Sequence, residues 1–177
     1  MKIKSSSDSS DRIYRMNINE NLTIPTKIKR DWSISIEPCN KERDGQFIRE
    51  STKQNFYDYL NETIGWNENL HQQEPRFPER YLMLFNKNNP IGFLSLREQP
   101  NCLYLETLQL IEAYRGCGLG TALIKFIEDI ARKKAKNKIR LRVFQDNPAQ
   151  FLYHRLEFNV VEDEGWCLLM EKVLKVC

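Results

Sequence analysis

An α/β domain with a mixed sheet is predicted for these 177 residues, on three observations. Residues 81–110 read as three short apolar runs separated by turn chemistry, which is the pattern of an antiparallel meander. Glycines at 116, 118 and 120 stand between the last of those runs and an amphipathic helix. That helix leads into an alternating strand near 139–144. A strand–helix–strand crossover is therefore joined to the meander, and helices are needed on both faces to cover such a sheet.

Each element follows from a local pattern. Residues 1–31 are polar, serine-rich at the start and without a period, so they are expected to form a mobile tail or an extra edge segment ahead of one domain at 32–177. Ile34 and Ile36 alternate with polar residues until Pro38, giving a first strand. From 41 to about 64 the pattern is helical, with Phe47, Ile48, Phe56, Tyr59, Leu60 and Ile64 facing inward, and Gly65 closing the helix. The polar, proline-punctuated stretch 67–80 reads as a loop or short helix. Strands are expected at 81–85, 91–96 and 102–110, with turns at 86–90 and 99–101. Leu119, Leu123, Phe126, Ile127 and Ile130 recur at helical spacing over 119–134. Lys125, Glu128, Asp129, Arg132 and Lys133 are assigned to the opposite, solvated face. A strand at 139–144, a short helix at 147–156 and two strands at 158–162 and 166–173, separated by Gly165, complete the chain.

Composition excludes several function classes. Hydrophobic residues make up 41% and charged residues 29%, and the net charge is only +3. A nucleic-acid binder would carry a larger excess of positive charge on one face. The basic run Lys133, Lys134, Lys136, Lys138, Arg140 and Arg142 reads as a solvated helix end and strand rather than an anion site. Cysteines at 39, 102, 117, 167 and 177 form no CxxC pair and there are only two histidines, His71 and His154. No zinc site is expected, and the scattered thiols suggest a reducing, cytoplasmic setting. The N-terminus lacks the apolar run of a signal peptide, and no stretch approaches the ~18 apolar residues of a membrane helix.

The glycine-rich turn carries the chemistry. The first N–H groups of a helix lack internal partners and sit at its positive end, and glycine lets that backbone approach an anion. Three phosphate motifs compete for residues 115–121. The P-loop requires a Gly-Lys-Ser/Thr that is absent. The dinucleotide fingerprint requires glycine where Thr121 stands, and a parallel context where a meander precedes. A Q/R-x-x-G-x-G/A pattern is satisfied by Arg115, Gly118 and Gly120. A tight turn with no ligand is the plain alternative, at the cost of three glycines in five residues.

The segment LQLIEAYRGCGLGTALI at 108–124 resembles the acetyl-CoA motif of the GNAT superfamily of N-acyltransferases. The segment NPAQFLYHRLEF at 147–158 resembles its second signature, Asn-Pro-Ala-Arg-x-Leu-Tyr-x-x-Leu-Gly-Phe. Glu112, Cys117 and Glu157 depart from the usual proline, basic residue and glycine, and Glu157 falls where a helix C-cap favours glycine. The resemblance covers about 32–174 and implies a GNAT-like acyl-CoA N-acyltransferase fold.

It also implies a reaction: transfer of an acetyl group from acetyl-CoA, without a metal, to a primary amine of a small molecule or peptide by direct attack in a ternary complex. Leu108, Gln109 and Leu110 would hold the pantetheine arm through main-chain groups. Arg115, Gly116, Cys117, Gly118, Leu119, Gly120 and Thr121 would hold the phosphates, and Asn147 and Tyr153 would lie beside the coenzyme. Asn147 followed by Pro148 equally reads as a helix cap.

Tyr153 is the expected acid for the departing thiolate, although it shares a helix face with Ala149, Leu152 and Leu156 as a core tyrosine would. Glu106 has the parity of Leu108 and Leu110 and is a candidate base, unless a bulge changes its facing. A covalent route through Cys117 lacks a neighbouring histidine. The alternative from another class is an inactive acyl-CoA-binding regulatory protein. Neither the acceptor nor the oligomeric state, a homodimer included, is specified by the sequence.

Overall fold

A computed structural model describes residues 32–63, 65 and 77–175. The expected extension 1–31, together with Ile64, Trp66 and most of the 67–80 segment, lies outside the described residues. In chain order the elements are β1 (Ile34–Pro38), α1 (Lys41–Thr63), β2 (Tyr81–Asn86), β3 (Asn89–Glu98), β4 (Leu103–Leu110), α2 (Leu119–Lys133), β5 (Lys138–Phe144), α3 (Ala149–Arg155), β6 (Asn159–Asp163) and β7 (Cys167–Val173). The seven strands form one sheet in the order β1-β2-β3-β4-β5-β7-β6. Every neighbouring pair is antiparallel except β4 and β5, which the α2 crossover joins in parallel.

Two cores lie on the two faces of the sheet. On one face Leu119, Leu123, Ile124, Phe126 and Ile127 of α2 pack with Leu82, Leu84, Leu94, Leu103, Leu105 and Leu141 of the strands. These residues share one stripe of the helix, as the helical spacing predicts. Tyr153 and Phe158 join the same cluster. On the other face Ile48 of α1 packs with Met83, Phe85 and Phe93, with Phe47 half-buried beside them. α1 is started by a reciprocal cap: Asn40 Oδ1 accepts the Arg43 N–H at 3.0 Å, and Asp44 Oδ2 accepts the Asn40 N–H at 2.8 Å.

The expected elements are present, with two corrections on the surface. Glu128 is not on a solvated face. It is buried, and its carboxylate pairs with Lys172 of β7 at 2.8 Å and Arg132 at 3.2 Å. α2 is thereby fastened to a strand that a helical wheel does not include. The basic run is likewise neutralised: Glu98 pairs with Lys134 and Lys136, Glu171 with Lys138 and Arg140, and Glu164 with Arg142.

Candidate active site

The parallel contact between β4 and β5 is short. Leu103 pairs with Ile139, Tyr104 with Arg140 and Leu105 with Leu141, and the register ends there. Both strands continue, β4 to Leu110 and β5 to Phe144. Beyond Leu105, β4 stays bonded only to β3, as far as the Gly92–Leu110 pair. β5 stays bonded to β7, as far as Phe144–Cys167. The strands diverge, so main-chain groups of residues 107–110 on the β5 side lose their ladder partners. A buried backbone group without a ladder partner must find another.

A cavity of about 720 Å³ opens at this divergence. Its walls are β4 from Leu105 to Leu110, β5 from Leu141 to Phe144, the glycine turn, α3 with the residues before it, the second half of α1, and Trp166 with Cys167. Of the residues singled out from the sequence, Glu106, Leu108, Gln109, Leu110, Arg115, Gly116, Gly118, Gly120, Thr121, Asn147 and Tyr153 border it. Cys117 and Leu119 do not. The Cys117 thiol donates to the Tyr114 carbonyl at 2.9 Å, and the Leu119 side chain is fully buried in the core.

The floor is the start of α2. Gly118 is the residue before its first turn and has φ 91°, a left-handed conformation that a side chain strains. Gly116 also has a positive φ, 68°, and a Cβ added at either position would meet nothing within 4 Å. The first intrahelical bond runs from the Ala122 N–H to the Gly118 carbonyl at 3.1 Å. The N–H groups of Leu119, Gly120 and Thr121 precede it and have no helical acceptor. An open, anion-favouring helix start therefore faces the cavity.

Tyr153 is 7% exposed and sits edge-on to Phe158, with ring centroids 5.6 Å apart. Burial pushes its pKa up to about 12. Its hydroxyl has no hydrogen-bond partner among the described residues, and Tyr153 is one of the residues bordering the cavity. A buried phenol normally finds a partner, so the open hydroxyl is an exception to the usual pairing. Asn147 meets the capping expectation, with Oδ1 accepting the Ala149 N–H at 2.8 Å.

Glu106 requires a correction of facing. Leu96 pairs with Leu105 and Ser95 with Thr107, so Glu106 is the extra residue of a β-bulge. Parity therefore fails across it. Glu106 does not share the face of Leu108 and Leu110. It lies with Ser95 and Arg97, whose Oγ and Nε donate to its carboxylate at 3.0 and 2.8 Å.

Gln109 also points to the α1 side. Its Oε1 accepts from Asn55 at 2.9 Å, and its amide donates to Thr107 at 3.1 Å. Arg115 joins this network: Nε donates to the Leu110 carbonyl at 2.9 Å and Nη2 to Asn55 Oδ1 at 2.6 Å. Asn55, Arg142 and Phe144 were not singled out as site residues, because each reaches the cavity only through the packing of α1 and the divergence of β5. Cys167 borders the cavity too. Its thiol is pushed up to about 12, first by burial and then by its hydrogen bond to Glu164, so it stays protonated. Among the described residues no group of His, Cys, Asp and Glu is gathered as a metal site needs, and no helix is long and apolar enough to cross a membrane.

These features define a mixed α/β domain whose one parallel strand pair opens above a glycine-headed helix. The chain belongs to the acetyltransferase (GNAT) family, whose model matches residues 45–158. It is 31% identical over 86 residues to the [ribosomal protein bS18]-alanine N-acetyltransferase of Haemophilus influenzae, covering 48% of this chain and 59% of that protein. It is 38% identical over 66 residues to the thialysine N-epsilon-acetyltransferase of Mus musculus, covering 36% of this chain and 39% of that one. The chain thus matches less than two thirds of the length of either relative. Among solved structures, the PaiA N-acetyltransferase of Thermoplasma acidophilum in complex with coenzyme A superposes with a TM-score of 0.65 at 24% identity, over 80% of this chain and 99% of that one. This last similarity is one of fold.

Proposed function

We propose that the protein transfers an acetyl group from acetyl-CoA to a primary amine. The observation that carries this reading is the divergence of β4 from β5 after Leu105, in one cavity with the open helix start at Gly118 and with Tyr153, whose hydroxyl has no partner among the described residues. Family membership supports it, as do the names of the two relatives, both N-acetyltransferases.

The residues present fit coenzyme A. An elongated ligand with a pyrophosphate needs an anion site at one end and main-chain partners along a trough, and both border the same cavity. The N–H groups from 117 to 121 would bind the pyrophosphate, with Gly116 and Gly118 leaving the approach clear. Main-chain groups of Leu108, Gln109 and Leu110 would hold the arm and orient the acyl carbonyl. When bound, acetyl-CoA supplies a thioester, an acyl carbon activated toward nucleophiles.

In the transfer a C–N bond forms and the C–S bond breaks. Counted from the ammonium, the nitrogen loses two protons: one before attack that passes to a base and on to solvent, and one as the adduct collapses that restores the proton the acid has given to the sulfur. Tyr153 holds a proton on its phenol well beyond neutral pH, and we assign it the protonation of the sulfur. An alkyl amine of pKa about 10.4 must be deprotonated, at a cost of roughly 4 kcal/mol at neutral pH. Among the described residues Glu106 is the acidic side chain bordering the cavity, and we assign it acceptance of that proton, through water where needed. Its bonds to Ser95 and Arg97 leave further lone pairs on both oxygens and fix its position.

The test is release of free thiol from acetyl-CoA across a panel of primary amines, beside calorimetric binding of coenzyme A. Amine-dependent release with stoichiometric acetylated amine is the expected result. Binding without turnover on any amine would overturn the catalytic reading in favour of an inactive acyl-CoA-binding protein.

A further inference from the structure

Part of the cavity wall is built from rings. Phe56 and Tyr59 come from α1, Phe144 from the end of β5 and Trp166 from the turn between β6 and β7. Phe144 is the hub: Tyr59 stacks on it at 4.9 Å and 7°, Phe56 lies tilted at 5.7 Å and Trp166 tilted at 5.7 Å. None of the four is buried, and Trp166 is 44% exposed. Three separate elements thus bring large apolar surface to one place without closing it into the core. An apolar patch of this kind marks a binding surface.

The charges beside the rings narrow the ligand. Among the described residues, the charged side chains bordering the cavity are Glu106, Arg115, Arg142 and Arg155. Glu106 is engaged by Arg97 and Ser95, and Arg142 by a two-pronged contact with Glu164 at 2.6–3.0 Å. The lining has more positive than negative groups, so it has little to offer a second ammonium. A cation cage presents several ring faces to one point. Here Tyr59 and Phe144 spend a face on each other.

Resting on the acetyl-transfer reading, we propose that the acceptor is a primary amine carried next to an aromatic or large apolar group, which packs against Phe144, Phe56, Tyr59 and Trp166. The group would displace water from the exposed ring surface and hold the nitrogen toward the diverging strands. The same chemistry occurs in a free arylalkylamine and in a peptide whose first residue is aromatic.

The experiment compares kcat/KM by thiol release, with acetyl-CoA saturating, for 2-phenylethylamine, butylamine and 1,4-diaminobutane, and for two peptides differing only in phenylalanine or alanine at the first position. The aromatic member of the small-molecule set, the peptide pair or both should lead by about 10-fold or more, the scale on which a filled apolar pocket discriminates. Which arm shows the lead identifies the source of the amine. Trp166→Ala should shrink that lead to within about threefold, and melting with and without coenzyme A checks that the variant is folded. Turnover of butylamine or diaminobutane at rates equal to or above phenylethylamine, together with equal rates for the two peptides, overturns the acceptor assignment and leaves acetyl transfer standing. Thiol release with no amine at all overturns both.

Discussion

Tyr153 lies edge-on to Phe158 at 5.6 Å between ring centroids, and the two residues also share a backbone bond, from the Phe158 N–H to the Tyr153 carbonyl at 3.0 Å. The end of α3 therefore holds the phenol ring from two directions. Its hydroxyl is the part of the side chain that nothing among the described residues holds.

Replacement of Tyr153 by phenylalanine should separate packing from chemistry. The ring contact is kept and no hydrogen bond is lost, so the melting temperature should stay or rise by about 2 °C. Acetyl-CoA affinity should stay within a few-fold, while kcat falls by about 100-fold or more. Single-turnover rates are the check, since product release can mask the acyl step. A rate within about threefold of the parent would remove Tyr153 from the mechanism.

The same side chain makes a pH prediction. The folded pKa of about 12 lies above the usual 10, so the folded state keeps a proton that the unfolded chain loses. Stability from this group is present in full below about pH 10 and is lost as pH rises toward 12. Alkaline unfolding of the Tyr153→Phe variant should therefore begin at higher pH than that of the parent, as followed by circular dichroism.

Glu106→Gln tests the base. The rate at pH 7 should drop about 10- to 100-fold. The deficit should narrow as pH approaches the pKa of the amine, because solvent then supplies the free base. A purely positioning role for the Ser95 and Arg97 contacts would give a deficit that is constant from pH 7 to 10, and that outcome would reassign the residue.

Gly118 tests the phosphate site. Its φ of 91° strains any side chain, so the informative comparison is between two variants with similar strain. Asparagine tolerates the left-handed region and carries no charge. Aspartate has nearly the same shape and would set a negative charge against the pyrophosphate. Coenzyme A should bind Gly118→Asp about 100-fold more weakly than Gly118→Asn. Equal dissociation constants by calorimetry would move the phosphates elsewhere.

Glu157 occupies a position that its backbone does not suit. It follows α3 with φ 66°, and the Phe158 to Tyr153 bond closes the helix over it. A left-handed conformation costs a non-glycine residue about 1–2 kcal/mol. Glu157→Gly should raise the melting temperature by roughly 2–4 °C. An unchanged or lower value would mean that the exposed Glu157 side chain contributes more than its strain costs.

Much of this molecule is legible in its sequence because helix and strand periods are local. The 119–130 stripe, the meander turns and the glycine-rich helix start are read within a few residues, and the structure has them there. The left-handed Glu157 was flagged by the resemblance to the family signature, which has glycine at that helix end. The facing of Glu106 was not legible from alternation alone, because one inserted residue in β4 reverses the parity. Glu128 was misplaced for a related reason: a helical wheel knows nothing of Lys172, 44 residues away.

By itself the sequence determined the order of elements and the glycine-rich helix start at 118–121, while Tyr153 became a candidate through the resemblance of residues 147–158 to a family signature. The first two depend on short-range geometry: the repeat of a helix, the missing Cβ of glycine, the unpaired N–H groups of a first turn. Only the tertiary structure decided that β4 and β5 part after Leu105 and Leu141, that the Tyr153 hydroxyl has no partner among the described residues, and that Phe56, Tyr59, Phe144 and Trp166 meet in the wall of the cleft. Those facts depend on how separate elements pack, and side chains tens of residues apart meet only once the sheet has twisted and the helices have closed over it.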